Sequence, residues 1–437
     1  MLEDNNEKLI EDAYLEVLGR SVDDDGKKTQ LNAMKHRSIG EIKKILRLSP
    51  EYKNAYKLIL TGKIRKDIAY IENDNIVWIK PDEAKATESP THLGQKQVML
   101  VSTWGIKCGI ATYTEHLLNS INKVQEIAGI FSINNRELPY TVNAAGAGIV
   151  HLQHEFGIMP PKFNSNSKVI VTFHTISKNM TGTLQHLESK LNIAGYVAHF
   201  EIGRSILANS TQKEVWMIPH GSKIIPCANT NADTDNMKQC ARDWLNFDKL
   251  FGIKEEEECA FVFGFQSGNK NYGKMAQACK NAGIKLIISG AIHQCGVGAK
   301  NIISSNDNVI LLGRYLNDME VDLYALASDI LLFDTIPLNH HSCSGAMHRI
   351  VGAGRPVICS RTNHFTDIIE NQDCLKFGDQ LELELKIKEA LEKSEEFGNK
   401  AIQYAAKTSW ENVAKQHLEV YKKYADLTTE EINNGTV

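Results

Sequence analysis

The sequence predicts an α/β protein with two doubly wound units behind a small all-α segment, and three observations carry that prediction. From Gln97 onward, short continuous apolar runs alternate with helical patterns, as strands buried on both faces of a parallel sheet require. These runs fall into two series separated by a polar stretch, Asn229 to Lys254, which has little helical pattern before Trp244. The first sixty residues, by contrast, carry apolar residues only at helical spacing. A length of 437 residues fits about three domains.

In the N-terminal segment Leu9, Ala13, Tyr14, Val17 and Leu18 share a helix face, and Gly19 stops that helix. Asp23, Asp24, Asp25 and Gly26 read as a turn. Leu31 to His36 and Ile39 to Leu48 read as two further helices, the last ended by Ser49-Pro50, because proline cannot continue it. Tyr52 to Leu60 closes the bundle. Residues 61–96 read as a linker with one strand, Ile76 to Ile79, and a polar segment from Pro81 to Gly94. The first α/β series spans 97–225. Its strands are expected at Val98–Ser102, Gly148–Gln153, Lys168–Phe173, Ser205–Ala208 and Val215–Ile218, with a helix over Ile110–Ile121. Residues 226–258 form the inter-domain linker. The second series, 259–408, places strands at Cys259–Gly264, Ile284–Ser289, Asn308–Leu312, Ile330–Phe333 and Pro356–Cys359.

Composition narrows the function classes. Lys plus Arg is 49 against 53 for Asp plus Glu, so the chain is slightly acidic and has no global field to hold a nucleic-acid backbone. The nine cysteines are scattered with no C-x-x-C pair, which reads as reduced thiols in a cytoplasmic setting. The opening MLEDNNEKLIEDAY is acidic where a signal peptide would be basic and then apolar. No apolar run approaches the roughly 18–20 residues of a membrane span. Peripheral attachment at a membrane, or self-association, through residues 1–60 stays open.

Four loops carry candidate chemistry. STWGIKCGIATYTEHLL takes the first strand through Gly105 and Gly109 into a helix, where glycines let a ligand approach free helix-start amides. Its spacing is not G-x-G-x-x-G, which disfavours NAD; a plain strand–helix turn is the alternative. His154 and Glu155, and likewise His174, lie just past strand carboxyl ends, where open α/β sheets bind ligands. They could bind sugar hydroxyls or move protons, or be hydrogen-bonded core histidines. In the second series Phe263-Gly264-Phe265-Gln266-Ser267-Gly268-Asn269-Lys270 offers amides and an ammonium to a diphosphate, without the Gly-Lys-Ser/Thr ending of a Walker loop. Arg314 is either a second cation for the same phosphates or a solvated surface arginine. Ser342, Ser344, Gly345 and Ala346 open a helix running to Gly354, either an anion site or a merely serine-capped helix. His220-Gly221, closing the first series, either points into the cleft or makes an ordinary turn.

The ordered set CGIATYTEHLL, HLQHEFGI, VTFHT, IPHG, FGFQSGNKNYG and GRPVI resembles the retaining family 4 glycosyltransferases over residues 97 to 425. The resemblance implies a B-type fold: two Rossmann-like domains facing a cleft, the first holding the acceptor and the second the nucleotide-sugar. Ser409-Trp410-Glu411-Asn412-Val413 through Tyr421 resembles the family's last helix, so 409–425 is expected to pack back on the first domain. By the same resemblance, a nucleoside-diphosphate sugar is the donor substrate, with no cofactor and no metal, and the acceptor is a glycan, lipid-linked group or protein. Lys270, Arg314, Ser344, Gly345 and Ala346 would hold the departing diphosphate, and Gly109, Gly264, Phe265, Ser342 and Arg349 would complete the donor site. His154, Glu155 and His174 would contact the reacting sugars; Gly105, Cys108, Thr112 and His220 would face the acceptor. The family commonly carries two glutamates seven residues apart, for donor sugar and ribose, where this chain has His341 and Arg349. Phe265 replaces an arginine common before the phosphate lysine. The first 55 residues, with Leu18-Gly19-Arg20 and Ser49-Pro50-Glu51-Tyr52, resemble a small helical module of unknown function found in bacterial chains that handle sugars or sit at cell surfaces.

Other chemistries fit less well. His340, His341, Cys343, His348 and His364 cluster in sequence but do not make the pair at i, i+3 or i+4 plus a second pair that zinc sites usually show. Asp233-Thr234-Asp235 matches a metal-binding triplet but sits in the polar linker. Cys343 lacks a base to activate it. A catalytically degenerate binding or assembly protein, and a sugar-nucleotide epimerase on the same scaffold, are the competing functions.

Overall fold

Short strands of three to six residues, many rich in valine, isoleucine and leucine, build two sheets, each six strands wide and parallel throughout. The computed structural model describes residues 2–18, 22, 24–34, 38–48, 69–72, 75–78, 98–225 and 234–433; within the last two spans, 107, 126, 134–139, 143–147, 159–162, 166, 291–305 and 313 are left out. The chain divides into two compact units, Met1–Thr87 with Arg242–Phe247, and Glu88–Ala241 with Asp248–Val437.

In the smaller unit, helices Leu2–Leu18, Asp24–Ala33 and Ile39–Leu48 enclose Ile10, Tyr14, Val17, Leu18, Ile42 and Leu46. Asp24–Gly26, expected as part of a turn, open the second helix. The helix is described over Asp24–Ala33, and the expected end at His36 lies outside the described residues. Ala69–Glu72 and Asn75–Trp78 pair antiparallel, a hairpin where one strand was expected. Tyr52–Leu60, Pro81–Gly94 and Asp233 lie outside the described residues.

The larger unit holds both sheets. The first runs Glu214–Met217, Ile193–Ala198, Lys168–Phe173, Ile149–His154, Val98–Ser102, Ala128–Ser132. The second runs Val309–Leu312, Lys285–Ser289, Cys259–Val262, Ile330–Phe333, Val357–Ser360, Leu375–Phe377. Central strands are buried on both faces; Val98–Ser102, Cys259–Val262 and Ile330–Phe333 are largely apolar, while Ile149–His154 also buries His151, Gln153 and His154. Ser205–Ala208 is not a strand: it ends the helix Glu201–Ala208, and the strand lies just before, at Ile193–Ala198. The polar stretch after Asn229 contains the helix Thr234–Leu245, which the sequence pattern concealed.

Two short strands, Thr175–Ser177 and His340–Ser342, pair antiparallel and tie the edge of one α/β domain to the other. The C-terminal helix Trp410–Asn433 returns to the first domain. Its Val413, Ala414, Leu418 and Tyr421 share a core with Val98, Leu100, Leu117 and Ile121.

Candidate functional site

A cavity of about 280 Å³ opens where the carboxyl ends of the two sheets face each other, the position open α/β sheets use for ligands. The first domain contributes Cys108, Gly109, Thr112, Tyr113 and His116 from the first turns of helix Gly109–Val124, together with His220, Gly221 and Trp410. The second contributes Phe263, Gly264 and Phe265 at one strand exit, Gly290 at the next, Tyr315, Leu316, Asp318 and Val321 beyond the edge strand, and Gly345, Ala346 and Arg349. Nine residues marked from sequence therefore line one space: Cys108, Gly109, Thr112, His220, Gly264, Phe265, Gly345, Ala346 and Arg349. Gly105, at φ +64°, shapes the turn that leads into it.

Glycine is demanded at two points of the wall. Gly264 has φ +113°, and an added Cβ would stand 2.8 Å from Ala346 Cβ and 3.0 Å from Lys270 Nζ. At Gly290, φ +144°, a Cβ would meet the Gly264 carbonyl oxygen at 2.0 Å. The same geometry locates Lys270: its ammonium lies behind Gly264 and beside the first turn of the helix Gly345–Ile350. Lys270 Nζ donates to the Phe263 carbonyl at 3.3 Å, and burial pulls its pKa down to about 8. Among the described residues no carboxylate reaches ion-pair distance of it.

The helix at Gly345 is six residues long, shorter than the expected run to Gly354. Ser344 caps it, accepting from the Met347 amide at 3.3 Å, so the hydroxyl is committed while Gly345 and Ala346 line the cavity. The Ser342 hydroxyl is likewise engaged, with His364 Nδ1 at 2.7 Å. Arg314 does not line the cavity. Both carboxylate oxygens of Glu320 hold it, at 2.9 and 2.7 Å. Arg349 donates to Asp322 at 2.6 Å and meets Asp318 at 3.1 Å, while Lys223 Nζ meets Asp322 at 2.5 Å. This charged cluster closes one side of the cavity.

His154, Glu155 and His174 stand apart from the cavity wall. His154 packs between Phe156 and Phe173, and Glu155 accepts from the Thr175 hydroxyl at 2.8 Å. His174 hydrogen-bonds Gln153 at 3.0 Å and reaches the cavity only through Tyr113, whose ring lies 4.6 Å away. Tyr113 is in turn surrounded by His174, His199 and His220. Burial lowers the pKa of each of these histidines, and mutual repulsion lowers those of His174 and His220 further.

His348 stacks on His220 at 4.4 Å, bonds Ser222 Oγ at 2.8 Å and meets Asp367 at 2.6 Å. Cys343, His348 and Asp367 bring ligand-type atoms within 4.8 Å of one another, a grouping the sequence did not suggest because Asp367 lies 19 residues beyond His348.

Tyr113, His116, Tyr315, Asp318 and Trp410 escaped the sequence reading. The capping box Asn317 to Glu320 marked the start of a helix and so the placement of Asp318. Trp410 carries no local signal for its contact with Gly221, where a Cβ would meet the indole at 2.3 Å.

No protein-family model matches the chain, and no curated protein matches it. Solved structures do. A glycosyltransferase from Rickettsia africae is 12% identical with TM-score 0.58, over 76% of this chain and 99% of that one. Sucrose-phosphate synthase from Thermosynechococcus elongatus is 13% identical with TM-score 0.55, over 76% and 100%. Anabaena HepE, solved with UDP and glucose, is 11% identical with TM-score 0.53, over 75% and 99%. The chain has the two-domain fold of the B-type glycosyltransferases.

Proposed function

We propose that the protein transfers a sugar from a nucleoside-diphosphate sugar to an acceptor hydroxyl with retention at the anomeric carbon. One observation carries the reading. The ammonium of Lys270, with no carboxylate partner among the described residues, lies directly behind Gly264 and beside the first turn at Gly345–Ala346, and Gly264, Gly345 and Ala346 line the cavity shared by the two α/β domains. A buried cation of this kind is stabilised by an anion that enters the cavity.

In the reaction the anomeric C–O bond to the diphosphate breaks and the acceptor oxygen bonds to the same face. The acceptor proton passes to the departing phosphate oxygen. Lys270 and the amides of Gly345 and Ala346 offset the charge that develops on that leaving group, and the two walls orient the reactants. The neighbour solved with UDP and glucose supports a nucleotide-sugar ligand.

The test is thermal shift with UDP-, GDP- and ADP-sugars, followed by hydrolysis and transfer assays on any that raise the midpoint. Stabilisation by one donor class and release of its sugar are expected. Stabilisation by none rejects nucleotide-sugar transfer and favours the binding or assembly reading, toward which the pairing of Arg314 with Glu320 also leans. Among the described residues no helix is long and apolar enough to cross a membrane.

A further inference from the structure

Behind the cavity wall, on the second α/β domain, three side chains of different chemistry converge. Cys343 follows the strand His340–Ser342, His348 lies on the helix Gly345–Ile350, and Asp367 stands beyond the strand Val357–Ser360. One ligand-type atom from each lies within 4.8 Å of the others. The side chains of His348 and Asp367 are 0% and 3% exposed. Backbone pairing brings the two loops together: Cys343 bridges Phe365, and the Ser342 amide donates to the Asn363 carbonyl at 3.2 Å. The Tyr404 hydroxyl, 3.3 Å from Asp367 Oδ2, steadies the carboxylate.

Hydrogen-bond directions show what the trio lacks. The Thr408 hydroxyl donates to the Tyr404 carbonyl at 2.8 Å, so the Ser222 hydroxyl, 2.7 Å from it, donates to Thr408. Ser222 Oγ therefore accepts from His348 Nδ1 at 2.8 Å. A neutral imidazole that donates from Nδ1 keeps its lone pair on Nε2, and Nε2 faces Asp367 Oδ2 at 2.6 Å. Two electron-rich atoms so close call for a cation to share. Asp367 Oδ1 is buried too and accepts no hydrogen bond. The same directions make His348 a donor to Ser222, so the row Ser222, His348, Asp367 does not activate a serine nucleophile.

We propose that Cys343, His348 and Asp367 bind one divalent cation of the zinc class. A thiolate sulfur, an imidazole nitrogen oriented by an outer hydrogen bond and a carboxylate oxygen suit that ion, and three protein ligands leave the fourth tetrahedral position to water. Ligand atoms around tetrahedral zinc stand about 3.3–3.8 Å apart, so closing on the ion takes side-chain shifts of about 1 Å. The thiol proton of Cys343 and the proton shared by His348 and Asp367 leave to solvent as the ion enters. His220, which lines the cavity, stacks on His348 at 4.4 Å, so the ion sits behind the wall and does not touch what the cavity holds. It pins Cys343 and His348, which flank the cavity-lining Gly345 and Ala346. The site stands whether or not the cavity takes a nucleotide-sugar.

The experiment is titration of the full chain, freed of metal by a chelator, with cobalt chloride and then zinc chloride. One equivalent of cobalt should give a thiolate-to-metal charge-transfer band and four-coordinate absorption, both abolished when zinc displaces it. X-ray absorption of the zinc form of wild type should show one sulfur among nitrogen and oxygen ligands. Cys343→Ser should lose the charge-transfer band and the rise in unfolding midpoint that zinc gives wild type. Ser222→Ala, which frees the outer side of His348, should bind about ten- to hundredfold more weakly while keeping the band. Equal midpoints in chelator show that the variants fold. No stoichiometric binding by wild type overturns the assignment. So does a zinc shell with two sulfurs, which would point to Cys359 and Cys374, 3.8 Å apart, or a band that survives in Cys343→Ser.

Discussion

Replacing Lys270 with methionine separates what this residue does for the fold from what it does for a ligand. Its ammonium is buried beside Gly264 and Ala346, and burial alone brings its pKa from 10.5 to about 8. A depression of that size corresponds to about 3 kcal/mol of penalty on the charged form, an upper value because the Phe263 carbonyl and water relax around it. The penalty is full below pH 8 and fades between pH 8 and 10.5, where the folded state has lost the proton and the unfolded chain still holds it. At pH 7 the Lys270→Met protein, similar in volume and uncharged, should therefore be more stable without ligand, by up to about 3 kcal/mol. It should also lose the midpoint increase that a nucleotide-sugar gives wild type, and its transfer activity. Scanning fluorimetry at pH 7 with and without the donor reads both effects. A variant less stable than wild type that keeps its ligand response would show that Lys270 is a structural cation and would remove the basis for the diphosphate site.

The remaining expectations concern the frame around the cavity. His116, His154 and His199 are lowered to about 4 and His151 to about 3, in each case mainly by burial, so the folded protein keeps them neutral while the unfolded chain takes up protons near pH 6.5. Stability is thus unaffected by them above pH 6.5 and should fall progressively from there toward pH 4; a flat denaturation midpoint across that window contradicts this. Gly221→Ala places a Cβ at 2.3 Å from the Trp410 ring and should cost about 1–3 kcal/mol in urea unfolding, with quenching or shift of tryptophan emission. Asp367→Ala strips His348 of its buried partner and should destabilise by about 3 kcal/mol, while Asp367→Asn should recover part of the loss as a neutral hydrogen-bond acceptor.

Much of the frame was legible because buried parallel strands advertise themselves. Lys168–Phe173, Val98–Ser102 and Ile330–Phe333 were readable to the residue from their largely continuous apolar character. Ser205–Ala208 misled because four residues are too few to distinguish two periodicities, and its helical character rests on Glu201 and Arg204 one turn earlier, joined by an ion pair. Thr234–Leu245 was hidden by polarity. In the candidate site, the glycines and Lys270 were visible because strand-exit loops announce themselves locally. Tyr113, Asp318 and Trp410 were not: they come from three separate helices, and their convergence is a property of the tertiary path. His154, Glu155 and His174 were readable as strand-end residues, but the cavity opens one layer away, with Tyr113 between it and His174.

The returning helix has a practical consequence for anyone who would recombine this scaffold. Val413, Leu418 and Tyr421 are part of the first lobe's interior although they belong to the helix that follows the second lobe, and Ser222 bonds both the Thr408 main chain and its hydroxyl at the seam. A chimera cut once, after the first lobe, would leave that lobe without one of its walls and Trp410 without its seat on Gly221. Exchange of lobes therefore needs two cuts, so that the tail travels with the beginning of the chain it completes.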